Sequence, residues 1–147
     1  MYIKILAMTL ILFGNSLCFG NDYYKALDLF NRKKINQSID LFKSVSRNTQ
    51  DENRSKAFFN LAVIYDYGYG VGVDKTKALY FYEKASKLEN EFALYNLGWM
   101  YYTGENVNKD AVKAFKLYSK AADKGHAQAL YNLANMYYSG TGTTKDY

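Results

Sequence analysis

Residues 57–86, AFFNLAVIYDYGYGVGVDKTKALYFYEKAS, return at 93–122 as ALYNLGWMYYTGENVNKDAVKAFKLYSKAA and start again at 129–147 as ALYNLANMYYSGTGTTKDY. The three starts, Ala57, Ala93 and Ala129, stand 36 residues apart with nothing inserted between copies. From 57 to 90, 12 of 34 positions are identical in the second copy, and from 93 to 111, 11 of 19 are identical in the third. A fixed period of this size is the mark of stacked supersecondary units, each burying its apolar face against the next.

Within one unit, Ala57, Leu61, Ile64, Tyr65 and Gly68 follow helical spacing, and Gly68, Gly70 and Gly72 then end the helix. Asp74 is placed to cap a second helix that carries Ala78, Leu79, Tyr82 and Ala85 on one stripe. The second copy repeats the plan with Leu97, Tyr101, Gly104, the cap Asp110, Ala114, Phe115, Tyr118, Ala121 and Ala122, and Gly125 closes it as a C′ glycine. Ala62, Gly98 and Ala134 share one repeat position, where a small side chain admits close helix approach. The unit is therefore helix, glycine turn, helix.

The surrounding sequence fits an all-α chain: it has 147 residues, 49% of them hydrophobic, with no proline and 10 glycines. Upstream, Asp22 to Asn31 and Gln37 to Val45 read as a more degenerate helix pair anchored by Leu27, Phe30, Ile39, Leu41, Phe42 and Val45. Terminal repeats diverge because one side faces water, so this pair is expected to cap the array. A polar connection, Asn48 to Asn53, follows it. The sequons Asn36-Gln37-Ser38 and Asn53-Arg54-Ser55 read as surface polar segments. At the other end, Asp146 stands at a helix N-cap position one residue before Tyr147, so the third copy reads as truncated. Self-association through that uncapped edge is a further expectation.

Residues 1–20 read as a secretory signal: Lys4, an apolar run from Ile5 to Phe13, and a polar break at Gly14, Asn15 and Ser16. The run is shorter than the roughly 20 residues that span a bilayer. Cleavage after Gly20 would put Cys18 and Gly20 at the positions such peptidases inspect, and would remove the single cysteine. Lipidation at Cys18 is the alternative, opposed by Leu17 before it, and an uncleaved anchor is another. The resulting expectation is a secreted or periplasmic protein with no stable membrane span after cleavage. Its domains are a signal peptide (1–20), a capping helix pair (21–50) and a repeat array (51–147, with copies at 57–92, 93–128 and 129–147).

The pattern A-x3-L-[AG]-x2-Y-x2-G, a glycine turn, Asp, then K-A-x3-Y-x-K-A resembles the Sel-one-like repeat, a relative of the tetratricopeptide repeat with a longer turn. Matching residues are Ala57, Leu61, Ala62, Tyr65, Gly68, Gly70, Val71, Asp74, Lys77, Ala78, Tyr82, Lys84 and Ala85, with their counterparts in the second copy. Asn106 departs from it where a second turn glycine is expected, and Asn tolerates left-handed backbone angles. The resemblance implies a right-handed α-solenoid of stacked antiparallel helix pairs. It also implies an adaptor or scaffold that holds a protein or peptide partner in a concave groove lined by the first helix of each pair.

Residues off the core stripe of those first helices supply the expected groove: Phe59, Asn60, Val63 and Asp66, then Tyr95, Asn96, Trp99 and Tyr102, then Tyr131, Asn132, Asn135 and Tyr138. Flat aromatics give contact area at low entropy cost, and an amide can both donate to and accept from a bound backbone. The ladder Asn60, Asn96, Asn132 serves equally well to bond neighbouring helix groups, and the aromatics to pack helices together.

No catalytic residues, metal site or cofactor are expected. The single histidine, His126, follows Gly125 in a turn and reads as solvated, without a His or Cys partner nearby. The glycines at 68–72 follow a helix, whereas a dinucleotide fingerprint follows a strand. The net charge of +5 is spread along the chain, and the short run Arg32, Lys33, Lys34 reads as a solvated helix end, so no nucleic-acid partner is expected. Some cysteine-rich relatives bind or hydrolyse β-lactams, but a chain without mature cysteines lacks their disulfide-linked pairs. A truncated remnant without independent function is the remaining alternative.

Overall fold

The computed structural model describes residues 22–142. Among them are seven α-helices and no strand: α1 (Asp22–Asn31), α2 (Ile35–Arg47), α3 (Arg54–Tyr67), α4 (Lys75–Lys87), α5 (Glu91–Thr103), α6 (Ala111–Asp123) and α7 (Ala127–Ser139). The chain is an all-α solenoid of helix pairs, in which the principal packing runs between consecutive helices. The leader at 1–20 and the cap position Asp146 lie outside the described residues.

The punctuation falls where the residues call for it. Asp74 and Asp110 cap α4 and α6, each carboxylate accepting from the backbone N–H three residues on, at 2.9 Å from Lys77 and 2.9 Å from Lys113. Gly68 and Gly104 end α3 and α5 in the left-handed conformation, and Asn106 takes φ 58° where Gly70 takes 68°. The asparagine therefore keeps the turn that its glycine counterpart makes.

After α6, Gly125 donates to Ala122 O and His126 to Ala121 O, the paired bonds of a Schellman closure. Glu89 occupies the equivalent place after α4, where Glu89 donates to Ser86 O and Asn90 to Ala85 O, and it takes φ 58° with a full side chain. Replacing Glu89 by glycine is expected to raise stability by about 1 kcal/mol by relieving that backbone cost. The ion pair it loses, Glu89 with Lys124 at 2.8 Å, is exposed and contributes little. Urea denaturation of the two proteins measures the difference.

Three apolar clusters run along the array. The first joins Tyr23, Ala26, Ile39, Phe42, Val45, Ala57, Leu61 and Ile64, so the α1–α2 pair packs onto the first repeat. The second joins Phe58, Ala62, Ala78, Tyr82, Ala85, Ala93, Leu97 and Met100, and the third Leu94, Ala114, Tyr118, Ala121, Ala129 and Met136. Each cluster takes residues from two adjacent units, which is why no unit holds its face alone. Tyr23 and Ala26 were not among the expected anchors, yet both are buried.

Two expectations are corrected. Ala134 is exposed, unlike buried Ala62 and Gly98, because no second helix pairs with α7 among the described residues. The sequons are not both surface segments: Ser38 is buried with its hydroxyl donating to Ala26 O at 2.7 Å, and Asn53 is buried beneath the start of α3.

Candidate functional site

The first helices of the three repeats, α3, α5 and α7, carry the twelve expected groove residues, and these divide by what they touch. On α3 they are engaged within the chain. Phe59 lies 5.6 Å from Phe92 and 6.1 Å from Tyr82 between ring centroids, joining two repeats, and Val63 packs on the second apolar cluster. Asn60 donates through Nδ2 to the Tyr23 hydroxyl at 3.2 Å. Asp66 accepts from the Tyr82 hydroxyl at 3.0 Å through one carboxylate oxygen and from Lys75 Nζ at 2.7 Å through the other. Lys75 also reaches Glu105 at 3.0 Å; burial opposes its charge, but the two carboxylates hold its pKa above the usual lysine value.

The asparagine ladder is regular in sequence and irregular in bonding. Asn60 crosses to α1, whereas Asn96 donates back to its own helix at Phe92 O, 2.8 Å away. Asn132 lies beside the Tyr118 hydroxyl, which is buried without a hydrogen bond of good geometry. Burial pushes the Tyr118 pKa up, the Asn132 amide opposing, so the hydroxyl stays protonated and able to donate.

Between α5 and α7 the structure brings four of the expected residues together. Trp99, Tyr102, Asn132 and Asn135 line a recess of about 190 Å³, with Tyr118 and Met136 completing it. Trp99 is 45% exposed, so its indole edges the recess while remaining open to solvent. Tyr131 and Tyr138, at 68% and 82%, stand out from α7 and are not part of the recess. Tyr118 was read as core from its repeat position, which is correct for its ring; its hydroxyl is what sequence reasoning missed. The signal lay in position 102, a tyrosine where the preceding repeat has Asp66, so the carboxylate that satisfies Tyr82 has no counterpart.

Tyr95 stacks on His126, with centroids 4.4 Å apart and planes 15° from parallel. His126 is consequently not the solvated turn residue its sequence position implies. It is partly buried and caps α7, its Nδ1 accepting from Ala129 N at 3.3 Å, as Asn90 does for α5 from Ala93 N at 3.0 Å. Burial lowers its pKa below the ordinary histidine value of 6.5, with Glu91 opposing. A depressed folded-state pKa means that the unfolded chain takes up the proton first. The stabilisation is present above about pH 6.5 and is lost as pH falls through the depressed folded value. The protonated ring also ceases to accept the capping bond. We expect about 1 kcal/mol of acid-dependent loss attributable to this cap, absent in His126→Asn, which retains an acceptor. Thermal denaturation from pH 7.5 to 5 in both proteins checks it.

Among the described residues no group of three or more His, Cys, Asp or Glu is placed to hold a metal ion, and no helix is long and apolar enough to cross a membrane.

The repeat register, the caps and the helix-pair stacking define a class, and comparison with known proteins identifies it. The family model for the Sel1 repeat matches residues 53–90, 92–126 and 127–147, and the chain belongs to that family. A Sel1 repeat protein from Oxalobacter formigenes superposes with a TM-score of 0.73 at 28% identity, over 84% of this chain and 49% of that one. The Escherichia coli protein c5321, a protective antigen of uropathogenic strains displaying an SLR fold, superposes with a TM-score of 0.71 at 27% identity, over 86% of this chain and 28% of that one. The chain thus spans about half the length of the first and little more than a quarter of the second. No match was found among the curated proteins.

Proposed function

We propose that this chain is a noncatalytic protein-binding module that holds a protein or peptide partner along the face shared by α5 and α7. The observation that carries this reading is the recess itself: exposed Trp99 and Tyr102 converge with two amides around a buried, underused hydroxyl. Tryptophan and tyrosine at the mouth of a recess are the side chains that dominate protein interfaces, because they cover large areas with few torsions to freeze. Sel1 repeats serve typically in protein–protein interaction, which supports the same reading.

The test is affinity capture with the tagged protein and with Trp99→Ala plus Tyr102→Ala. Both sites are on the surface, so the double variant is expected to fold, which circular dichroism verifies. A partner recovered with the wild type and reduced at least tenfold with the variant supports the reading; equal recovery would sink it. Asn96 is a poor choice for such a test, since its amide already bonds its own helix.

We further propose export, from the amino-terminal charge, apolar run and polar break in residues 1–20. Fractionation followed by amino-terminal sequencing is expected to find a chain that starts at Asn21 outside the cytoplasm.

A further inference from the structure

We propose that the α5–α7 recess is a pocket for the side-chain carboxylate of an aspartate or glutamate on the partner, received by the Tyr118 hydroxyl. This rests on the binding-module reading above and specifies the chemistry of the same site.

The chain carries its own precedent for the contact. Positions 63, 66 and 82 of the first repeat and 96, 99 and 100 of the second correspond, 36 residues on, to 99, 102, 118, 132, 135 and 136, the six residues of the recess. In the first set, Tyr82 is buried and donates to the Asp66 carboxylate at 3.0 Å. In the second, Tyr118 is equally buried, at 1% exposed, and position 102 is a tyrosine that supplies no carboxylate. The counterpart of bulky Trp99 is Asn135, whose smaller side chain lines the recess together with Tyr118. One tyrosine has its acceptor built in, and the other has no carboxylate beside its hydroxyl and lines a recess.

The lining sets the chemistry of what enters. It contains no acidic residue, while Tyr118, Asn132, Asn135 and the indole N–H of Trp99 are all able to donate hydrogen bonds. Trp99 and Met136 offer apolar surface to an aliphatic stem. At the rim, Lys109 Nζ lies 5.8 Å from the centre of the Tyr102 ring, bringing a cation to the approach. The chain as a whole, at a net charge of +5, favours encounter with an acidic partner.

Trp99 is the only tryptophan in the chain, so its indole reports on this recess alone. The full-length protein is titrated with three tripeptides while Trp99 fluorescence and its indole N–H resonance are followed. They are N-acetyl-Ala-Glu-Ala-amide, the Gln analogue, and N-acetyl-Ala-Gln-Ala with a free carboxyl terminus. A saturable response to the glutamate peptide, at least tenfold stronger than to either other peptide, is expected. Tyr118→Phe is expected to abolish that preference with the fold retained. Tyr102→Asp, which installs the counterpart of Asp66, is expected to occupy the hydroxyl internally and abolish it too.

Equal responses to the Glu and Gln peptides, no saturable response to the Glu peptide, or a preference that survives Tyr118→Phe would each overturn the proposal. A response confined to the free carboxyl terminus overturns it in favour of chain-end recognition. If the carboxylate preference fails while Trp99→Ala plus Tyr102→Ala still loses the captured partner, the binding-module reading stands and only the carboxylate assignment falls. If capture is also unaffected, both fall.

Discussion

Tyr82→Ala is expected to cost about 4 kcal/mol of stability, a large part of the 5–15 kcal/mol typical of a natural domain. The ring is 1% exposed and sits in the second apolar cluster, in contact with Phe59 at 6.1 Å between centroids. Truncation leaves a cavity between two repeats and also strips Asp66 of one of its two partners, leaving Lys75 to hold that carboxylate. Tyr82→Phe separates the two losses: it keeps the ring and removes the hydrogen bond, for about 1 kcal/mol. Chemical denaturation of the three proteins gives both numbers. A Tyr82→Ala cost no larger than that of Tyr82→Phe would show that the ring contributes little to holding the repeats together.

Gly98→Val is the second large effect, expected at about 3 kcal/mol. A Cβ added at Gly98 would lie 2.8 Å from Cδ1 and from Cε1 of Tyr118, a buried ring. Valine adds two methyl groups to that overlap and is stiff within a helix, so the ring or the α5–α6 spacing must give. Because that same ring forms part of the recess between α5 and α7, the variant is also expected to alter Trp99 fluorescence. Gly98→Ala is a milder probe: it gains up to about 1 kcal/mol of helix propensity against the same overlap. Its net effect is expected to be destabilising but smaller. Urea midpoints rank the series, and a valine variant as stable as the wild type would show that the helices part at no cost.

The helix pairs were legible in the sequence because their signals are local. Asp74 and Asp110 cap by bonding a backbone group three residues on, and Gly68 and Gly104 terminate helices by their own backbone freedom. Even Asn106 follows from a single residue's tolerance for φ 58°. The burial of Asn53 and Ser38 was less legible, since it depends on which neighbouring helix covers them.

The site was legible to a lesser degree for the same reason. Position within the repeat indicates the face a residue occupies, and four of the twelve expected residues do meet around one recess. What each does there depends on the unit before or after it. Asn60 finds Tyr23 on a diverged helix, whereas Asn96 turns back to Phe92 O. His126 becomes a cap because Tyr95 stacks against it and holds it near the start of α7. The Tyr118 hydroxyl becomes an unused donor because position 102 changed from the acid at 66. Sequence identity between copies marks the scaffold, and differences between copies mark where one unit's contacts depart from the next's.

The confinement of principal packing to consecutive helices has a mechanical consequence. Among the described residues the principal pairings all join helices that are neighbours in sequence, so tension applied along the array is carried by one interface after another in series. Such a body stretches by small changes at each joint and yields at its weakest joint first, with neighbouring pairs still folded. The same neighbour-to-neighbour packing favours rapid folding from whichever pair forms first. The described helix array is in this respect a short elastic element, compliant at each joint between neighbouring helices.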